Sequence, residues 1–371
     1  MSSSKIMLMA NDTTYTCNLR REVLESLVSG GYEVVVVSKV LRLKNELEAI
    51  GCRVIDIDTG RHGKNPFADL KLLLKYIRLL RMEKPNAVLT YNIKPNIYGG
   101  MACRICGVKY MPNITGLGTA VEVPGRMQQL TTRLYKIGVS GAGCIFFQNQ
   151  ENLDFFAKRS MLGKKSRPRL LPGSGVNLTS HPALPYPEDG GTIHFLFVAR
   201  VMKEKGIELY INAARHIYRE HKNVMFHVCG YCDDEKYYSV LKSAEEEGFI
   251  TYHGEQSDMR PFFLLAHCIV HPSSYPEGMS NVLLEAAAHA RPIITTNRSG
   301  CREVVENGKN GYIIPMEDQQ ALIKAIEDFL MMPWEEKKRM GLAGREKVER
   351  EFDREIVVEA YKTEIQMSAG E

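Results

Sequence analysis

Phe195–Gly206 reads FLFVARVMKEKG, an unbroken apolar run to Ala199 followed by a cationic loop. A run without alternation is what a strand covered on both faces requires, and such strands belong to parallel sheets with helices on each side. Outward from this stretch the same pattern recurs. On the C-terminal side, after Ile193–Val198, the runs are Val224–Cys229, Ile250–His253, Cys268–His271, Pro292–Thr296 and Tyr312–Ile314. On the N-terminal side they are Ile6–Ala10, Glu33–Ser38, Arg53–Ile57, Ala87–Tyr91, Tyr110–Ile114, Cys144–Gln148 and Arg169–Leu171. Helical patterns such as Leu19–Ser29 and Pro66–Met82 lie between them, and strands alternating with helices read as βαβ units. Thr179–Gly191, TSHPALPYPEDGG, has linker composition and no period. The expected fold is α/β with two Rossmann-like domains, residues 1–178 and 192–350, joined by a linker at 179–191 and facing across a cleft, the default ligand site. Gln319–Met331 and Glu335–Arg350 read as amphipathic helices. A last helix, Phe352–Met367 within residues 351–371, is a candidate to cross back onto the first domain.

Composition narrows the classes. A chain of 371 residues suits two domains. The formal net charge of +4 is small for that length, and no nucleic-acid partner is expected. The nine cysteines are scattered and odd in number, which argues against a disulfide framework. Two C-x-x-C spacings, Cys103–Cys106 and Cys229–Cys232, lie far apart, and the first pair falls in an apparent helix; buried thiols fit them better than zinc, and no metal is expected. The start MSSSKIMLMA lacks a signal-peptide core, and no apolar stretch approaches the roughly 20 residues of a bilayer span. The expectation is a cytoplasmic protein. Two segments are basic: Lys158–Arg169 (KRSMLGKKSRPR), and Pro66–Met82, in which Lys71, Lys75, Arg78 and Arg81 stand among leucines. A basic amphipathic helix can lie on an anionic membrane, and equally its leucines can face the core of its own domain.

Two features bear on chemistry. Arg200 and Lys205 follow the buried strand at its C-terminal mouth, where open α/β sheets bind ligands. A guanidinium fork and a compact ammonium there can neutralise a diphosphate, although a solvated loop before a helix carries such residues too. The second feature is HPSSYPEGMSNVLLEAAAHARP, His271–Pro292. A strand ends in Pro-Ser-Ser, a short loop holds Glu277, and a helix begins near Ser280. Free N–H groups at a helix start accept anions. Glu285 follows eight positions after Glu277, and a carboxylate can accept from vicinal sugar hydroxyls. Helix capping plus a surface Glu would look similar.

Together, R-x4-K at one strand end and E-x7-E at a later one resemble the donor domain of the retaining GT-B glycosyltransferases of family four. The resemblance covers essentially the whole chain, with Gly230, His253-Gly254, Pro272-Ser273 and Gly300-Cys301-Arg302-Glu303 in family order. It implies a GT-B fold and a UDP-sugar co-substrate without a metal. It implies a catalytic set of Arg200, Lys205 and Glu277, the cations on the donor diphosphate. It implies backbone N–H groups of Gly278, Met279, Ser280 and Asn281 on the donor sugar and phosphate, Glu285 on the ribose, and Gly230 and Gly254 along the base. The first loop, Ala10–Tyr15, lacks the glycine pair of many relatives, and Tyr91-Asn92-Ile93-Lys94-Pro95-Asn96 stands where a histidine is frequent. TYNIKPNIYGG and NITGLGTA resemble transferases that extend undecaprenyl-diphosphate-linked saccharides in capsule, O-antigen or glycoprotein glycan assembly. The nearest type adds N-acetylgalactosamine to lipid-linked bacillosamine. On that reading Arg20, Lys94, Gly116 and Gly118 face the acceptor, and the protein sits peripherally on the inner face of the cytoplasmic membrane. The rivals are a UDP-sugar 2-epimerase of the same fold, a non-catalytic partner in a glycan-assembly complex and a dinucleotide oxidoreductase; the last lacks G-x-G-x-x-G after the first strand. Donor sugar, linkage and oligomeric state stay open.

Overall fold

The computed structural model describes residues 4–60, 65–118, 121 and 125–369, so Thr119 and Ala120 of NITGLGTA lie outside the described residues. The chain forms two compact units. Unit 1 takes the chain up to Ser174, Glu277–Met279 and the segment from Arg354; unit 2 takes Gly175–Pro276 and Ser280–Asp353.

Unit 1 is built on β1 (Lys5–Asp12), β2 (Glu33–Lys39), β3 (Arg53–Asp56), β4 (Ala87–Tyr91), β5 (Lys109–Ile114), β6 (Cys144–Phe147) and β7 (Arg167–Leu170). They form one sheet in the order β3-β2-β1-β4-β5-β6-β7, and each neighbouring pair is parallel. Alternate residues serve opposite faces. Met7, Met9, Val35 and Val37 join one buried cluster, while Ile6, Leu8, Val34 and Val36 join another across the sheet. That two-sided burial is why these strands read as continuous apolar runs.

Helix Thr13–Ser29 starts earlier than its apolar period suggests, because Asp12 caps it by accepting the Tyr15 N–H at 2.9 Å. Helix Pro66–Glu83 sends Leu72, Tyr76, Leu79 and Leu80 into the core. Phe67, Leu70, Leu74 and Met82 stand exposed on it. The last helix runs Arg354–Ala369. It buries Val357, Val358, Tyr361 and Ile365 in the unit 1 core, Arg354 pairs with Glu22 at 2.8 Å, and buried Glu364 receives Arg167 and Arg169. Among the described residues no helix is long and apolar enough to cross a membrane.

Unit 2 has β8 (Ile193–Val198), β9 (Val224–Cys229), β10 (Ile250–Gly254), β11 (Cys268–His271), β12 (Ile293–Thr296) and β13 (Gly311–Ile314), in the parallel order β10-β9-β8-β11-β12-β13. The order reverses between β8 and β11, as it does between β1 and β4 in unit 1, the pattern of doubly wound Rossmann-like sheets. The segment with linker composition is an ordered strap on unit 2. Its carbonyls at Pro182, Pro185 and Pro187 meet His289, Arg291 and Trp334 at 2.8, 2.6 and 2.8 Å.

A row of imidazoles crosses the unit 2 sheet. His194 Nδ1 lies 2.9 Å from His227 Nε2, His227 Nδ1 lies 3.0 Å from His253 Nε2, and His267 Nδ1 accepts the His194 N–H at 3.1 Å. Each ring-to-ring contact needs one donor and one acceptor, and His267, whose Nδ1 accepts a backbone N–H, must be neutral. Burial, then the neighbouring rings, lowers His227 to about 4, and burial foremost lowers His267 to about 4. The folded values lie below the usual 6.5, so this stability is present in full above that pH and is lost as pH falls toward 4. Urea titrations should show the midpoint of unit 2 falling between pH 7 and 4.5, with His227 contributing on the order of 2 kcal/mol. His227→Asn should flatten that dependence; an unchanged pH profile would show that the row contributes nothing to stability.

Candidate functional site

The loops after β8 and β11 leave the sheet side by side, because these strands are neighbours at the reversal. After β8 the chain makes a single 3-10 turn, Lys203–Lys205, too short to hold itself. It is held from outside. The Glu204 carbonyl accepts the Ser274 N–H at 2.8 Å, and the hydroxyls of Ser273 and Ser274 stand 3.4 Å away. Gly206 then turns the chain at φ +82 into helix Ile207–Glu220; a Cβ there would stand 2.2 Å from the Pro272 carbonyl oxygen. Only glycine permits that approach.

The result is a pair of cations around one ring. Arg200 Cζ lies 5.9 Å and Lys205 Nζ 4.8 Å from the centre of Tyr275. Arg200 is exposed and Lys205 half-buried. Burial foremost, with the like charge of Arg200 adding and Cys301 opposing, lowers Lys205 to about 8. Fully buried His271, at the end of β11, feels that ammonium; burial first and Lys205 second push it down to about 3, so it is neutral at physiological pH.

The loop after β12 braces the loop after β11. Arg298 Nε donates to the Tyr275 carbonyl at 3.3 Å, Thr296 Oγ1 to that of Ser273 at 2.6 Å, and the Ser280 N–H to that of Gly300 at 2.7 Å. Ser280 is the N-cap of helix Asn281–Ala288 and makes no side-chain cap bond, so the first-turn N–H groups of that helix are not satisfied by its hydroxyl. Buried Asn281 Oδ1 has no partner among the described residues. Glu285 is half-buried one turn further on.

After β9, Gly230 is stitched to both neighbours. Its N–H donates to Gly254 O at 2.8 Å, Tyr252 Oη donates to its carbonyl at 2.9 Å, and the Val201 N–H reaches Tyr231 O at 2.9 Å. A Cβ on Gly230 would lie 1.7 Å from the Ala199 carbonyl oxygen. Unit 2 therefore brings together Arg200, Lys205, Gly230, Gly254, Ser280, Asn281 and Glu285 on the ends of β8 to β11. Asp233-Asp234 is capping: Asp234 accepts the Lys236 N–H at 2.9 Å.

Glu277, Gly278 and Met279 cluster with unit 1. Asn149 Nδ2 donates to the carbonyls of Glu277 and Gly278 at 3.1 and 2.6 Å, and a Cβ on Gly278 would stand 2.3 Å from Gln148 Oε1. Arg20 is 4% exposed, with its guanidinium 4.7 Å from the centre of Tyr91. Lys94 Nζ pairs with Asp69 at 3.0 Å and donates to Gly60 O at 2.7 Å. Gly116 and Gly118, at φ +129 and +68, follow β5.

Sequence reading passed over Tyr275, Arg298, Asn149 and Asp69. Tyr275 lies in the loop that carries Glu277, and an aromatic ring there was the available signal. Asp69 and Asn149 act over long sequence separations and left none. All nine cysteines are free thiols. Among the described residues the one group of three potential metal ligands is His216, Glu220 and Glu327, which includes neither C-x-x-C pair.

Two family profiles match. Residues 185–347 fit glycosyl transferases group 1, and residues 5–149 fit glycosyl transferase 4-like. A capsular polysaccharide biosynthesis glycosyltransferase, CapM, of Staphylococcus aureus is 29% identical over 330 residues, covering 82% of this chain and 83% of its own. The Campylobacter jejuni N,N'-diacetylbacillosaminyl-diphospho-undecaprenol alpha-1,3-N-acetylgalactosaminyltransferase is 23% identical, covering 93% of each. Spore coat protein SA of Bacillus subtilis is 32% identical over 174 residues, and the match spans 44% of this chain and 46% of that protein. Among solved structures, Anabaena HepE in complex with UDP and glucose superposes with a TM-score of 0.78 at 15% identity, covering 98% of this chain and 99% of that one.

Gly206→Ala should destabilise unit 2 by roughly 2 kcal/mol or more, from a positive φ and a clash with backbone. Thermal unfolding should register this as a lower Tm. A wild-type Tm would mean that the two loops do not depend on each other.

Proposed function

The chain is a GT-B glycosyltransferase of the group 1, 4-like type, and on that premise we propose that it moves a hexose or N-acetylhexosamine from a UDP-sugar to an undecaprenyl-diphosphate-linked saccharide with retention at the anomeric carbon. The observation that carries this reading is the pair of cations flanking Tyr275 beside an uncapped helix start. Two fixed positive charges and free N–H groups suit a diphosphate, and they suit it best as negative charge grows on departure. The acceptor oxygen attacks the anomeric carbon on the face from which UDP leaves. The bond from that carbon to the β-phosphate oxygen breaks, and the acceptor hydroxyl proton passes to the departing phosphate. Arg200 and Lys205 stabilise the leaving group, Glu277 with the Gly278–Asn281 backbone orients the sugar, Glu285 holds the ribose, and Gly230 and Gly254 border the base. No resident metal or other cofactor is part of the proposal.

The relatives support the pathway class. One carries capsular polysaccharide biosynthesis in its name, and another a diphospho-undecaprenol substrate. The proposed working place is the cytoplasmic face of an anionic membrane. Exposed Phe67, Leu70, Leu74 and Met82 share the outer side of helix Pro66–Glu83 with Lys71, Lys75, Arg78 and Arg81, a combination of apolar and basic groups suited to anionic lipid.

UDP release should be measured across UDP-hexoses and UDP-N-acetylhexosamines, with and without a lipid-diphosphate-linked saccharide. Release that requires the lipid is expected; release from no pair, or a UDP-sugar converted without acceptor, would refute the proposed transfer. Arg200→Ala should lower kcat roughly 100- to 1000-fold. With Lys205 at about 8 before UDP binds, UDP affinity should fall about tenfold between pH 7 and 9, as titration calorimetry would record. Vesicles rich in phosphatidylglycerol should float the protein at low salt, and charge reversal at Lys71, Lys75 and Arg78 should abolish flotation.

A further inference from the structure

Half-buried Asn92 in unit 1 holds a carboxamide whose orientation is forced and whose second half has no partner among the described residues. Asn92 ends the turn out of β4, beside β1, at the point where the strand order of that sheet reverses. Its Oδ1 accepts the backbone N–H of Asn11 at 3.1 Å. A backbone N–H can only donate, so the oxygen of the carboxamide must face β1 and the Nδ2 amide must face away from it. Among the described residues no protein group accepts a proton from that amide, although Asn92 is half-buried.

The backbone around it is unusual at two places. Asn92 has φ +70, a conformation that L-residues other than Asn and Asp adopt rarely. Three residues later the chain enters a π turn, Pro95–Gly99. That turn is pinned by fully buried Asn96, whose Oδ1 accepts Thr90 Oγ1 at 2.7 Å and whose Nδ2 donates to Asn113 O at 2.8 Å. Departures of this kind gather at ligand sites, where the surroundings maintain them.

The neighbouring polar groups are already engaged. Lys94 is committed to Asp69 and Gly60. Arg20 is buried against Tyr91, and it donates to Leu19 O at 3.0 Å. Asn92 has unused donors at this strand end, and its oxygen is already fixed by the Asn11 N–H. It is neutral, so it suits a neutral oxygen rather than a phosphate.

We propose that Asn92 determines acceptor specificity by donating from Nδ2 to a hydroxyl or acetamido oxygen of the acceptor saccharide. This rests on the acceptor being read by unit 1, as in the function proposed above. Asn92→Asp separates the role from the fold: it keeps an oxygen for the Asn11 N–H and tolerates the same φ, but it offers no donor. The probe is an N-acetylhexosamine on a short-chain polyprenyl diphosphate, followed by acceptor KM, donor KM, Tm and saturation-transfer NMR of the saccharide. The expected result is an acceptor KM raised roughly tenfold, with donor KM, acceptor-independent UDP release and Tm unchanged within about twofold or about 2 °C. Asn92→Gly, which keeps the backbone, should match it in acceptor KM. An unchanged acceptor KM in both variants, or donor KM and Tm moving together with it, would overturn the role of Asn92 alone. Wild-type protein that binds UDP but no saccharide would overturn the reading on which it rests.

Discussion

The separation of the two site cations depends on a carbonyl. Lys203–Lys205 is one 3-10 turn with no interior of its own, and its shape comes from the next strand end. Ser274 holds the Glu204 carbonyl, and Gly206 lies against Pro272 without a side chain between them. Parallel strands stand about 4.8 Å apart, so a turn fastened across β8 and β11 inherits the spacing of the sheet. The fastening continues outward: Thr296 holds Ser273, Arg298 holds Tyr275, and Gly300 holds Ser280. Three loops at three adjacent strand ends share one set of hydrogen bonds. The cations are thereby preorganised, and little reorganisation is required when an anion arrives.

Burial explains the charge state of the site. Lys205 is drawn partly out of water beside a second cation, which disfavours its proton. His271, buried behind it, answers by staying neutral. A diphosphate would reverse the balance, since an anion at hydrogen-bonding range favours the protonated lysine. Binding of an anion there would therefore be coupled to proton uptake at Lys205.

Strand positions were legible to within a few residues because two-sided burial imposes an unbroken apolar run, as at Val34–Val37. Ends governed by single polar contacts were less so. Thr13–Asn18 carries no apolar period, yet it is helical because Asp12 caps it. Phe352 and Asp353 precede the last helix rather than begin it. The leucines of Pro66–Glu83 divide between core and solvent, a partition that a helical period alone leaves open because apolar residues occur on both sides. Of the candidate site, Arg200, Lys205, Gly230 and Glu285 could be picked out from local motifs at strand ends. The partners of Lys94 and of Gly278 could not, since Asp69 and Asn149 meet them only in three dimensions.

The two sheets build their mouths from different materials. In unit 2 main chain joins main chain at several strand ends, with glycine at 206 and 230 allowing the close approach. Such a surface depends on the glycines at these closest approaches more than on the side chains around them. In unit 1 the corresponding ends are joined through carboxamides: Asn92 to Asn11, Asn96 to Thr90 and Asn113. A side-chain amide carries both a donor and an acceptor, so each one tied to the fold by one half presents the complement with the other. Changing a single such residue alters what is presented without disturbing the sheet beneath it. A fold with a backbone-built mouth on one sheet and a side-chain-built mouth on the other can keep one class of substrate while varying its second. The difference lies in the atoms that do the joining, main chain with a few hydroxyl and guanidinium groups in one unit and carboxamides in the other.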